Sequence, residues 1–516
     1  MHEQTLPDLS WVPPRVAITD TADELARIDE VIRRGPFDDT WESLRGFEPP
    51  EWFTQAKFGI FVHWGAYAVP AHRTEWYARL MYREGSAEHA HHRETWGELT
   101  EFGYKDFLPK LDFANFDADA MVATFRRAGA RFVVPVAEHH DGFTMYDEPR
   151  TRWKAPLIGP KRDPFGELAD ACRNQSLVVG ASSHRAENWF FYNSGRGTAS
   201  DLQDPRWSDL YGPAARQEVH PDPEFLEDWL IRTTHIIDQY RPQLLWFDWW
   251  IESPGFEPYL RKIAAYYYNR AAEWGRGVVL HYKYDAFPAG TAVFDVERGG
   301  SSGIRSRPWQ NDTSVSRNAW GYIDGHDYKQ PRELLSDLVD VVSKNGCLLL
   351  NVGPKADGTL PEEEVRLLEQ VGAWLARNGE GIYGTSPWTV YGEGPGSSLS
   401  GSFTDGTPFE LGTEDLRFTY RTNTDVDYLY VLSVQAAGHD VAVRTLSADT
   451  KLLEDHIETV QLLGTMEHLE HTRDRDALRV RLPQHVDPGD GFGLRITLTK
   501  PPRPQRRDYL HNATTP

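Results

Sequence analysis

The sequence predicts a (β/α)8-like barrel of the TIM type followed by an antiparallel β-sandwich, on three observations. As far as residue 390, short apolar segments alternate with amphipathic helical ones, the pattern of a parallel sheet covered by helices. Those segments tend to end on a residue with usable chemistry: His63 and Trp64, then His139, His140 and Asp141, then His184, Asp248, Lys283, Glu297 and Asn351. A closed barrel delivers such residues to one mouth from every strand, whereas a doubly wound open sheet gathers them at one switch point. Beyond residue 390 apolar residues alternate with polar ones, as in half-exposed antiparallel strands.

The elements follow in order. A Pro-containing N-terminal arm, residues 1–40, precedes the first strand, AKFGIFVHW (57–64). Met121, Val122 and Phe125 share a helix face that stops at Gly129, ahead of the strand ARFVVPV. GELADACRNQ is a helix leading into SLVVGAS, and Phe225, Leu226, Trp229, Leu230 and Ile236 recur at helical spacing up to Pro242, before QLLWFDWW. PYLRKIAAYYYNRAAEW leads into GVVLHYK, AVFDVERG follows closely, and PRELLSDLVDVVSK delivers NGCLLLNVG before the helix PEEEVRLLEQVGAWLARNG closes the region. Seven strands are clear and the eighth falls between Trp309 and Trp320. The barrel domain is thus 41–390. After the Gly/Ser-rich connector YGEGPGSSLSGS, the sets Leu416, Phe418, Tyr420; Tyr428, Tyr430, Leu432; and Phe492, Leu494, Ile496, Leu498 mark a sandwich over 391–500, with 501–516 as a tail.

At 516 residues, one large domain with a smaller partner is expected. The formal charge of −22 repels phosphate backbones and anionic lipid heads, which argues against nucleic-acid or membrane partners and for a neutral or cationic small ligand. Eighteen Trp, 22 Tyr and 24 Phe could serve as platforms for the C–H faces of sugar rings, or simply fill an aromatic-rich core. Cys172 and Cys347 read as buried free thiols. No signal peptide is recognisable in residues 1–30 and no run of 18 apolar residues occurs, so a cytoplasmic protein is expected. Nothing in the pattern fixes the oligomeric state; a homo-oligomer is compatible with it.

On residues alone, Asp248 either caps the turn that leads to Ser253 and Pro254 or protrudes into the barrel mouth, since a buried unpaired carboxylate is costly. Glu297 reads first as part of a charge cluster with Arg298 and Asp295. His63, His139, His140 and His184 at equivalent strand ends suggest a purpose, yet the H-x-H and H-E-x-x-H spacings of zinc sites are absent. No metal or other cofactor is therefore expected. Neutral imidazoles offer both a donor and an acceptor to a polyhydroxylated substrate. Both His139 and His140 can point inward only if their strand is irregular.

WFTQAKFGIFVHWGAYAVPAHRTEWYARLMY, EHHDGFTMYD, LLWFDWW, WGYIDGHDY and VVSKNGCLLLNVGPKADGTLP through EGIYGTSPW together resemble the α-L-fucosidases of glycoside hydrolase family 29, over roughly residues 40–390 and in the same order. The resemblance implies a barrel followed by a sandwich, and hydrolysis of terminal α-L-fucosyl residues from oligosaccharides or glycoconjugates with retention of configuration. It makes Asp248 the nucleophile and Glu297 the acid/base, with Glu75 as rival. His63, Glu75, Trp76, His139 and His140 match positions that hold fucose hydroxyls or wall the pocket, and Trp309 is placed among the sugar contacts. Three departures stand out: Lys283 in place of an arginine, ASSHRAENW in place of a tyrosine-rich third strand, which puts Ser183 or His184 against the sugar, and Gln310 in place of a glutamate. These leave the reaction type intact and bear on specificity. A fucose-binding protein that has lost hydrolysis is the alternative.

Overall fold

The computed structural model describes residues 9–212, 220–406, 408–423, 426–453 and 456–499; the expected tail at 501–516 and the first eight residues of the expected arm lie outside them. Eight parallel strands close in chain order: β1 (Phe58–Val62), β2 (Phe132–Glu138), β3 (Val178–Ser183), β4 (Leu244–Phe247), β5 (Val279–Tyr282), β6 (Val293–Glu297), β7 (Trp309–Ser314) and β8 (Gly346–Val352). Closure is made by β1 against β8, with Phe58 opposite Leu348 and Val62 opposite Val352. Most strands are apolar on both faces because the barrel interior takes one face and the helices the other. The exception is β7, WQNDTS, which is buried throughout although only Trp309 is apolar.

The intervening helices start where the sequence supplies a side-chain acceptor. Asp117 caps Ala118–Arg127, Asp163 caps Pro164–Asn174 and Asp222 caps Pro223–Tyr240, each accepting from an N–H three residues on. The helix Glu257–Trp274 ends at Gly275 with φ 62, a left-handed residue that glycine adopts without penalty. Ahead of the barrel, Thr21–Arg34 is a helix whose Ile28, Val31 and Ile32 join the core around Ile263 and Tyr267. The expected arm therefore carries a structural element, signalled by its i, i+3, i+4 spacing.

The C-terminal strands β9 (Ser386–Glu393), β10 (Leu416–Thr422), β11 (Asp427–Ser433), β12 (Asp440–Val443), β13 (Ile457–Leu462), β14 (His471–Arg473), β15 (Leu478–Arg481) and β16 (Phe492–Leu498) form two antiparallel sheets, ordered β13-β16-β11-β10-β9 and β12-β15-β14. Phe418, Leu429, Leu494 and Ile496 of one pack with Val443, Leu478 and Val480 of the other. The expected half-exposure fails for β10 and β11, whose second face is also buried: Tyr430 and Leu432 join Leu368 and Trp374 in the barrel's core. There the buried Arg417 guanidinium bonds Asp340 of the helix Pro331–Ser343 at 2.7 Å and the Gly396 carbonyl at 2.7 Å. Cys172 and Cys347 are free and buried. Among the described residues no helix is long and apolar enough to cross a membrane.

Candidate active site

The carboxyl ends of the barrel strands surround a cavity of about 510 Å³. His63, Glu75, Trp76, His139, His140, His184, Asp248, Lys283 and Glu297 all line it. Trp309 does not. Strand alternation turns its ring outward onto Val296 and Val341, with its indole N–H on the Lys344 carbonyl at 2.9 Å, while its neighbour Gln310 faces inward and donates to Asp295. Of Ser183 and His184, it is His184 that reaches the cavity.

The condition set for His139 and His140 is met: the β2–β3 register shifts between Val136 and Glu138, and both imidazoles line the cavity. Asn351 at the end of β8 orients His63, its Oδ1 accepting from His63 Nδ1 at 2.7 Å while its amide donates to the Trp320 carbonyl at 2.7 Å. That assignment leaves His63 Nε2 for a ligand. Burial, reinforced by neighbouring imidazoles, holds His63 and His139 well below the usual histidine range, and burial brings His140 to about 3. These three are therefore neutral at physiological pH, acting as hydrogen-bonding groups rather than cations.

Asp248 follows β4 directly. It accepts from His184 Nδ1 at 3.0 Å and from its neighbour Trp249 N–H at 2.8 Å, and lies 3.4 Å from Lys283 Nζ. Of the two readings of its position, the one in which it protrudes into the mouth holds; its backbone partner is the adjacent Trp249 N–H rather than the N–H two or three residues on that a cap requires. Burial pushes its carboxyl up, but Lys283 and His184 outweigh burial and hold it well below the ordinary carboxylate range. Glu297, the last residue of β6, bonds the same Lys283 ammonium. Burial, with the charges of Asp312 and Asp248, overcomes that bond and raises Glu297 to about 7. The expected cluster with Arg298 does not form: Arg298 turns away with φ 44 and pairs with Asp405 at 3.2 Å. Glu75 accepts from the Trp320 N–H at 3.0 Å.

Sequence reasoning missed two buried carboxyls. Asp312 pairs in register with Glu297 across β6 and β7, sits 3.5 Å from Lys283, and is held strongly protonated by burial and by Asp295. Its signal was the Gln310, Asp312, Ser314 alternation. Glu187, on the turn after His184, is fully buried and lies 3.3 Å from His140 Nδ1, and among the described residues no hydrogen-bond donor meets either oxygen. Burial and the adjacent Asp248 charge raise it well above the carboxylate range. Two groups, His63 with His139 and His184, and His140 with His184 and Asp248, bring their ligand atoms within 4.8 Å and could hold a cation. His184 would be shared by both, yet its nitrogens already meet Asp248 and Ser182.

A barrel whose mouth joins an ionised aspartate, a glutamate poised near neutrality and a wall of neutral imidazoles and indoles defines a carbohydrate-active hydrolase site. The family model for α-L-fucosidase matches residues 25–380. Human plasma α-L-fucosidase is 31% identical over 376 residues, covering 68% of this chain and 73% of the relative; an α-L-fucosidase of Dictyostelium discoideum is 28% identical over 382 residues, covering 70% and 77%. The crystal structure of Thermotoga maritima α-fucosidase in complex with fucose superposes with a TM-score of 0.70 at 27% identity, over 89% of this chain and all 100% of that one. The chain belongs to the α-L-fucosidase family of glycoside hydrolases.

Proposed function

We propose that the protein hydrolyses terminal α-L-fucosyl residues from oligosaccharides or glycoconjugates by double displacement. One observation carries this reading: Asp248, held ionised, and Glu297, held near pH 7, flank one Lys283 ammonium in one cavity. Sharing one ammonium keeps the two carboxyl groups close, which supports a retaining pair, whose carboxyls stand about 5–5.5 Å apart, over the wider gap an inverting water needs. Asp248 attacks the anomeric carbon as Glu297 gives its proton to the departing oxygen, leaving a fucosyl ester. Glu297 then takes a proton from the water that cleaves the ester, and both carboxyl groups return to their starting states. The lining residues His63 and Trp246 pack against the buried Phe61, which supports a cavity closed at its inner end and action at chain ends.

Asp248→Gly is expected to abolish turnover of 4-nitrophenyl α-L-fucoside, and added azide to restore release as a fucosyl azide of inverted configuration. Near-normal hydrolysis by that variant would eliminate Asp248 as nucleophile. Fucose binding by the wild-type protein with no release of 4-nitrophenol would favour a binder over an enzyme.

A further inference from the structure

The Gly/Ser-rich stretch expected as a connector does more than join two domains. It turns back across the barrel mouth as a strap. Gly401 and Gly300 exchange both backbone hydrogen bonds at 3.2 Å, Phe403 N–H donates to the Glu297 carbonyl at 2.8 Å, and Thr404 N–H donates to the Arg298 carbonyl at 2.8 Å. The Asp405 carboxylate meets Arg298 at 3.2 Å and Lys329 at 3.0 Å, and Ser398 Oγ bonds Asp340 at 2.7 Å. A Cβ on Gly299 would lie 1.8 Å from the Gly401 carbonyl oxygen, so the glycine after Arg298 is what lets the strap approach.

What the strap delivers is Phe403, which lines the cavity yet stays 59% exposed. Tyr284, next to Lys283, also lines the mouth and is 48% exposed. Both adopt left-handed backbone, φ 56 and φ 54, a conformation that is costly for a non-glycine residue and persists where surroundings impose it. Among the described residues neither ring stacks on another aromatic side chain, and exposed aromatic faces held at such a mouth match the apolar face of a pyranose ring.

We propose that Phe403 and Tyr284 form an aglycone subsite, a platform for the neutral sugar ring to which the fucosyl residue is attached. The Phe403 amide hangs from the Glu297 carbonyl, so the platform stands on the side where the proposed acid meets the departing oxygen. The natural substrate class is accordingly a fucosylated oligosaccharide with a second ring in reach, and this inference rests on the hydrolytic reading above.

The test compares kcat/KM on α-L-fucosyl fluoride, whose leaving group fills no aglycone site, with kcat/KM on fucosylated lactose trisaccharides of α-1,2 and α-1,3 linkage. Phe403→Ala is expected to lower the trisaccharide-to-fluoride ratio about tenfold for the preferred linkage, Tyr284→Ala to lower it further in combination, and Phe403→Trp to restore it. An unchanged ratio in Phe403→Ala would overturn the subsite. A wild-type protein inert toward fucosyl fluoride would overturn the hydrolytic reading itself, and the subsite with it.

Discussion

Raising the pH through 7 should switch the enzyme off by a route that one residue controls. On the proposed mechanism the active form needs Glu297 protonated and Asp248 ionised. Burial and neighbouring negative charges set Glu297 at about 7, whereas Lys283 and His184 keep Asp248 ionised far into acid. The sign follows: kcat/KM is level through weakly acidic pH and falls as pH rises past 7. Two pH units beyond, about 1% of Glu297 remains protonated, so kcat/KM for a poor leaving group drops about 100-fold. Glu297→Ala should lose that alkaline limb and, on the plateau, lose roughly 10²–10⁴-fold for a sugar leaving group while sparing a fluoride or dinitrophenolate that needs no proton. Lys283→Met should carry the limb upward, because the ammonium is what opposes the upward push on Glu297. The assay is a pH series of kcat/KM on one poor and one good leaving group. A limb that stays in place in Glu297→Ala, or equal losses on both substrates, would refute the assignment and return the role to Glu75.

Two further outcomes are expected. Glu187→Gln should keep activity within about threefold at pH 6, since a protonated carboxyl and an amide are alike there, while Glu187→Ala should lose roughly tenfold by opening a void beside His140 and Asp248; equal damage from both would show that Glu187 works ionised. Glu364, buried beneath β8 with Gly353 N–H on its carboxyl at 3.0 Å, is raised by burial to about 8. A raised carboxyl stabilises the fold below its unfolded pKa and loses that contribution as pH climbs through the folded one, so about 4–5 kcal/mol should fade between roughly pH 4.5 and 8. Thermal melts of Glu364→Gln should show a flatter decline over that window, and a decline as steep as that of the wild type would refute the linkage.

Seven barrel strands were legible because a strand buried on both faces must be apolar throughout, and runs such as FGIFV and GCLLLNV have few other homes in a soluble chain. WQNDTS escaped that rule: Gln310 and Asp312 point into a barrel interior that is polar at this level, where Asp295 and Lys283 wait for them. The same alternation explains why Trp309, attached to the site by its neighbours, faces the opposite way. In the sandwich, Arg417 and Thr419 read as solvent-facing polar residues, yet they meet Asp340 and the Gly381 carbonyl across the domain contact. Burial against another domain leaves no period of its own in a strand. The strap escaped for a related reason: glycines and serines signal a loop, but where a loop lands depends on carbonyls such as those of Glu297 and Arg298, which no local pattern announces.

Strand-end chemistry located the cavity, but not the protonation states that separate its roles. Asp248, Glu297, Asp312 and Asp295 all act on Lys283, and together raise it well above the usual lysine range although burial alone would lower it. One ammonium cannot balance four carboxylates in a buried site, so protons remain where the local balance favours them. Asp312, paired with Asp295, keeps its proton; Asp248, with Lys283 and His184 both turned to it, gives its proton up; Glu297 falls between. A guanidinium would spread its charge over a rigid planar fork, whereas the ammonium concentrates it at one point that bonds Glu297 and lies 3.4 Å from Asp248 and 3.5 Å from Asp312. The lysine that keeps an arginine's charge but loses its fork thus grades the proton affinities of its carboxyl neighbours, a grading that fits the proposed division into nucleophile and acid.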